Sequence, residues 1–157
     1  MSLREAAVVA ISLVLLAWYR LRFALPAPLG RHCLLHRRLL TWGGRSGGPA
    51  PVSGSGSARA SERVSRLERL FLRAVEQAPA AGGSCVPRSL ALVHLLRLHG
   101  FPAEIRVGMR RAGPGFAGHA WVVHHGTVIA QGSEFVASFV PLVLAPAAGR
   151  ARVETTA

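Results

Sequence analysis

The stretch Ser84-Cys-Val-Pro-Arg-Ser-Leu-Ala-Leu-Val-His-Leu-Leu-Arg-Leu-His-Gly100, continued by Phe101-Pro-Ala-Glu-Ile-Arg-Val-Gly-Met109, decides the fold. Leu92, Leu95 and Leu96 supply the core face of a helix. Ser84 suits its N-cap, Pro87 is tolerated in a first turn, and Gly100 suits its end. The period then drops from 3.6 to 2: Ala103, Ile105, Val107 and Met109 alternate with Glu104, Arg106 and Gly108, the mark of a half-buried strand.

Toward the N-terminus, a helix is expected from Ser61. Val64, Leu67, Leu70, Phe71, Ala74 and Val75 recur at helical spacing, while Arg63, Arg66, Arg69 and Arg73 occupy a basic face read as solvated. Pro79 and Gly82-Gly83 end it. Residues 43–58 are rich in Gly, Ser and Pro and read as a flexible linker. It follows a hydrophobic and basic helical arm at 1–42. Within that arm, the apolar run from Ala6 to Tyr19 is shorter than the about 20 residues a bilayer requires, and Arg20 and Arg22 interrupt its extension. Trp18, Tyr19 and Arg20 stand where a signal peptidase needs small residues. The arm is expected to pack on the domain, on a partner or on a membrane surface.

Toward the C-terminus, Arg110 to Gly115 reads as a turn, Phe116 to Val123 as a strand, His124-His125-Gly126 as a turn and Thr127 to Gln131 as its partner strand. Phe135 to Leu144 reads as a final strand, and 145–157 as a disordered tail. The compact part, residues 59–144, is thus an α+β domain: helices packed on an antiparallel sheet.

Composition narrows the classes. Half of the 157 residues are hydrophobic, so a core can form. The net charge of +12 comes entirely from Arg, since the chain contains no Lys. The Ala, Gly, Pro and Arg bias has the look of a GC-rich genome, which discounts the charge as a functional signal. No nucleic-acid-binding motif accompanies it. Asp and Asn are absent too, so an acidic partner for a catalytic base must be one of seven Glu residues. The two cysteines, Cys33 and Cys85, make neither a disulfide framework nor a metal spacing, and a reducing compartment is expected. Cys33 reads as a packed thiol. His32 and His36, at i,i+4, are too few ligands for a metal site.

Cys85 opens the decisive helix. A helix N-terminus carries partial positive charge and unpaired N–H groups, which favour a thiolate and can hold an oxyanion. The bland alternative is a small buried hydrophobe. His119, mid-strand among small and apolar neighbours, is the candidate base. If His124-His125-Gly126 is a three-residue loop with Gly126 left-handed, Val123 faces Thr127, Trp121 faces Ile129 and His119 faces Gln131. Gln131 then orients the imidazole. A two-residue loop would put Gln131 on the other face, with Glu134 as the fallback.

Taken together, Cys85 to Gly108, then Gly118-His-Ala-Trp-Val122 and the closing Phe139-Val-Pro-Leu142, resemble the lasso-peptide leader peptidases, which are microcin-processing, transglutaminase-like proteins. The likeness covers about residues 60 to 142. It implies a papain/transglutaminase-like core and a thiol protease with no cofactor and no metal. Such an enzyme removes the leader from a ribosomally made precursor peptide. The resemblance further implies a separate leader-recognition protein and an ATP-dependent lasso cyclase as partners. Cys85 matches the nucleophile and His119 the base. Gln131 stands where the family has its acid, usually Asp. An amide can orient the ring, though it stabilises an imidazolium less. Ser84, Trp121 and Glu134 fill the oxyanion and supporting positions. A cytoplasmic enzyme is expected, with peripheral membrane contact through the arm and no nucleic-acid partner. Three other readings compete: a transglutaminase-like acyl transferase, a catalytically weak scaffold or adaptor in a peptide-maturation complex, and a nucleic-acid binder resting on charge alone.

Overall fold

The computed structural model describes residues 2–24 and 55–142. Helix α1 (Leu3–Ala24) begins with a capping box: Ser2 N–H donates to Glu5 Oε2 and Glu5 N–H donates to Ser2 Oγ, at 2.8 and 3.3 Å. Val9, Ser12, Leu16 and Tyr19, three or four residues apart, form its buried stripe. The Ser12 hydroxyl, fully buried, donates to the Val8 carbonyl and so costs no unpaired polar group. At 22 residues, α1 outruns the expected apolar stretch and is long and apolar enough to cross a membrane. Its buried stripe packs on α2 and α4.

Helix α2 (Ser55–Gln77) carries the expected core face of Val64, Leu67, Leu70, Phe71 and Ala74. It begins six residues before Ser61, so residues 55–58 of the expected linker are helical; the remainder of that linker, the 145–157 tail, and Cys33, His32 and His36 lie outside the described residues. Its basic face is not merely solvated. Arg66 pairs with Glu5 of α1 at 2.8 Å, and the Arg63 guanidinium lies 5.3 Å over the Phe101 ring. A short turn of helix, α3 (Pro79–Gly82), leads to α4 (Cys85–Leu98).

Helix α4 is buried on nearly every side, through Leu90, Ala91, Leu92, Val93, Leu95 and Leu96, because it lies between α1 and α2 and the sheet. Its end is a Schellman motif. Gly100, at φ 82°, donates to the Arg97 carbonyl and Phe101 N–H donates to the Leu96 carbonyl at 2.9 Å.

The sheet has the order β3-β2-β1-β4, with β1 (Glu104–Ala112), β2 (Gly115–His124), β3 (Thr127–Ile129) and β4 (Val140–Pro141), all neighbours antiparallel. The β1–β2 hairpin closes on Gly113-Pro114 alone, shorter than the turn expected from Arg110 to Gly115. One face, through Ala103, Ile105, Val122 and Ile129, joins the helices in the main core. The other carries a smaller cluster of Trp121, Val123, Val136 and Phe139.

Two further expectations fail. The β2–β3 turn has two residues, not three: His124 pairs with Thr127, and His125 and Gly126 form the loop at φ 46° and 83°. Two positive φ angles match the right-handed twist of the flanking strands, and His tolerates the left-handed region better than bulkier residues do. His124 stays in the strand because its Nδ1–H donates to the Pro102 carbonyl and its ring meets Phe101 edge-on. The final strand from Phe135 to Leu144 is instead helix α5 (Ser133–Ala137) followed by the two residues of β4. One helical turn puts Val136 and Phe139 into the smaller cluster together, which an extended chain would have split between two faces.

Candidate active site

Cys85 is the first residue of α4, half-buried, with a free thiol. Ser84 caps it with extended backbone (φ −112°, ψ 133°), but its exposed side chain makes no capping bond. The first-turn N–H groups that a helix cannot satisfy internally are therefore not consumed by the cap side chain. One turn on, about 6 Å along the axis, the buried Ser89 hydroxyl donates to the Ala120 carbonyl at 3.0 Å. This bond holds the opening turn of α4 against β2 at the residue next to His119. Arg88 is half-buried, and desolvation pushes its guanidinium below the ordinary range. Three residues from Cys85, it lies on the same side of the helix.

His119 sits on the sheet face away from the helices, with Trp121 two residues along. Its ring is stacked on Trp121 at 6.4 Å and 14°, meets Phe135 edge-on at 5.1 Å, and lies 5.1 Å from Phe139. Three aromatic walls leave the imidazole little rotational freedom. Arg110 caps the wall, its guanidinium 4.9 Å over Phe139 and 5.7 Å over Phe135. Trp121 lies across Gly108, the ladder partner of His119. A Cβ there would lie 2.8 Å from the indole and 2.7 Å from the Val140 carbonyl. Any larger residue on β1 would expel the indole or β4.

The ring's polar partner is Gln131: His119 Nε2 and Gln131 Oε1 are 2.8 Å apart. An amide oxygen only accepts, so Nε2 carries the proton and Nδ1 is the basic nitrogen. The expected pair forms, by a route other than the one read from the hairpin. In the two-residue register the ladder ends at Val122 and Ile129. The chain then turns at Ala130, whose φ of 62° is left-handed. That turn swings Gln131 back to the His119 side. A non-glycine residue held there costs about 1–3 kcal/mol unless its surroundings enforce it. Here the buried Ala130 N–H donates to Glu68 Oε1 of α2 at 2.7 Å.

Of the supporting residues, Trp121 is 3% exposed and stacks on the His119 ring. Glu134, the fallback, is exposed in the first turn of α5, and the bond to the ring runs to Gln131 instead. The linear sequence did not point to Ser89, Glu68 or the Phe135–Phe139 wall. Phe135 and Phe139 carry a helical signal in their i,i+4 spacing, but the apolar run around them equally suits a strand. Glu68 carried none, since it lies 62 residues from its partner. Among the described residues no cluster of three His, Cys, Asp or Glu has metal-binding geometry.

Chemically, the structure offers a free thiol at a helix N-terminus and, on β2, an imidazole fixed in one tautomer by a neutral amide. No curated relative and no solved structure shows a match to the chain. The family model for the transglutaminase-like superfamily matches residues 29–144, well over half of the chain and all of the sheet and α4. With its helices packed on an antiparallel sheet in a papain-like core, the chain belongs to the transglutaminase-like superfamily, which includes cysteine peptidases and acyltransferases.

Proposed function

We propose that this chain is a cysteine peptidase that removes the leader from a ribosomally made precursor during lasso-peptide maturation. The observation that carries the catalytic reading is the 2.8 Å bond from His119 Nε2 to Gln131 Oε1. It is the bond a general base needs to hold one tautomer and present its other nitrogen to a thiol. The leader-peptidase assignment rests on the resemblance of Cys85–Gly108 and Gly118–Val122 to that family.

In this reading His119 Nδ1 takes the Cys85 proton, and the thiolate attacks the carbonyl carbon of the scissile peptide bond. A C–S bond forms, and first-turn N–H groups of α4, that of Cys85 among them, hold the oxyanion. On collapse the C–N bond breaks, and the imidazolium returns its proton to the leaving amine. Water, deprotonated by Nδ1, then attacks the thioester and releases the carboxylic acid and the thiol. Gln131 orients the ring but lends it no charge, so the imidazolium is less stabilised than beside an Asp. The precursor's leader is delivered by a separate recognition protein, and the product passes to the ATP-dependent cyclase. The arginine-rich surface of α2 suits an acidic leader or the recognition protein. A cytoplasmic enzyme in contact with the membrane through α1 fits the helix's exposed Val14, Trp18 and Leu21.

In the second reading the thiolate attacks a glutamine side-chain carboxamide, ammonia leaves as the thioester forms, and an amine acceptor takes the place of water, giving acyl transfer. The superfamily's inclusion of acyltransferases favours it. Cleavage of a candidate precursor, with the recognition partner present, separates the readings. Wild type is expected to cleave, Cys85→Ala and His119→Ala to be inactive, and Gln131→Ala to be weakened by on the order of tenfold. Full activity in Cys85→Ala would sink the peptidase and leave a scaffold or adaptor role. Ammonia release together with incorporation of an added amine into the product would favour acyl transfer.

A further inference from the structure

We infer that Glu68 is a positioning residue for the site: through the Ala130 amide it holds the left-handed turn that delivers Gln131 to His119. The inference rests on the peptidase reading of the His119–Gln131 pair and deepens it.

The turn at Ala130 is not encoded locally. Alanine has no intrinsic preference for a φ of 62°, and neither Gly nor Asn occupies the position. The β3 ladder ends at Ile129, so the Ala130 N–H, in a residue 7% exposed, has no strand to pair with. A buried amide of that kind needs an acceptor. It finds one in a different layer, on α2, where Glu68 Oε1 stands 2.7 Å away. The next residue along the chain is Gln131, whose Oε1 holds the imidazole at 2.8 Å. Two short bonds in series, separated by a single residue, therefore link α2 to the candidate base. Glu68 is half-buried beside Leu67 and Phe71 of the core face, so its backbone has little freedom to drift. In a chain without Asp, the carboxylate enters the site one residue removed from the ring's own partner.

The test compares Glu68→Ala, Glu68→Gln, Gln131→Ala, the double variant Glu68→Ala/Gln131→Ala, and Glu68→Ala/Ala130→Gly. There are two readouts. One is the His119 Nε2–H proton signal in the ¹⁵N-labelled full chain, which the Gln131 bond shields from exchange. The other is kcat and KM for cleavage of a precursor peptide. Glu68→Ala is expected to broaden the Nε2–H signal as Gln131→Ala does, and to lower kcat by about tenfold with KM nearly unchanged. The double variant loses no more than Gln131→Ala alone, because both act through one bond. Glu68→Gln keeps an acceptor oxygen and recovers the signal and most of kcat. Adding Ala130→Gly to Glu68→Ala restores part of both, since glycine adopts the turn unaided. This variant also serves if Glu68→Ala alone does not fold. Retention of the signal and kcat in folded Glu68→Ala would overturn the inference, and so would losses that multiply in the double variant. If wild type cleaves no peptide, the peptidase reading fails while the Nε2–H signal still decides the role of Glu68.

Discussion

The two faces of the sheet obey different rules. The helix face meets α1, α2 and α4 across a large apolar core built on Leu16, Phe71, Leu95 and Leu96. Among the described residues, the opposite face is covered by α5 and Phe139, and Val136 and Phe139 complete a cluster of four buried residues with Trp121 and Val123. His119 belongs to this second face, half-buried, bonded to a neutral amide and walled by aromatics. Most of the buried apolar surface lies on the first face; in the proposed reading His119 works from the second, with Cys85 at the open end of α4. The large core holds the strand and helix that carry His119 and Cys85, the two groups of the proposed reaction.

The division predicts a double dissociation, whose largest effect lies in activity. Cys85→Ala removes the proposed nucleophile and should abolish precursor cleavage, by at least about a thousandfold. Its thermal unfolding should stay close to wild type, since a half-buried thiol contributes little packing. Phe71→Ala is the converse. Its ring is fully buried, so truncation should cost about 3–5 kcal/mol in urea unfolding. The per-molecule activity of the fraction that remains folded should be unchanged. If Phe71→Ala loses activity while folded, or Cys85→Ala unfolds, the two faces are not separable.

Gly108→Ala tests the point at which the faces meet. The added Cβ must displace Trp121 or β4, at a cost of about 1–3 kcal/mol. Because the His119 ring stacks on Trp121, activity should fall along with stability, unlike either variant above. Urea unfolding and cleavage rates measured on the same preparation decide it. A variant that loses stability but keeps its rate would detach Trp121 from the site.

The helix face was the more legible in sequence. Its signal is periodic and local: Val64 to Val75 at helical spacing, Leu92, Leu95 and Leu96, and the alternation from Ala103 to Met109. Cys85 and His119 were legible from chemistry and from family likeness. How Gln131 reaches His119 was not, because the path depends on a turn at Ala130 that only Glu68, from another layer, accounts for. The length of the hairpin loop is not legible either: one glycine, Gly126, suggests one left-handed residue, whereas His125 is left-handed as well. Phe135 to Leu144 is apolar enough for a strand. Only the packing of Val136 with Phe139 over Trp121 selects a helical turn.

The smallest effect concerns α1, the outermost piece of the helix face. Glu5 is held at a pKa of about 2, against an ordinary 4.5, first by the Ser2 N–H bond and next by Arg66. A depressed carboxylate stabilises the fold above its unfolded value. That contribution is intact above about 4.5 and is lost as pH falls through about 2. Arg66→Ala removes the ion pair to α2 and leaves the capping box intact. Glu5 should then rise only part of the way to 4.5 when followed by carboxyl ¹³C titration. A complete return would mean that the arginine alone holds it and that the capping box contributes nothing. A partial rise keeps the start of α1 self-organised, so that α1 is tied to the helix core chiefly by Leu16 and its apolar neighbours rather than by charge.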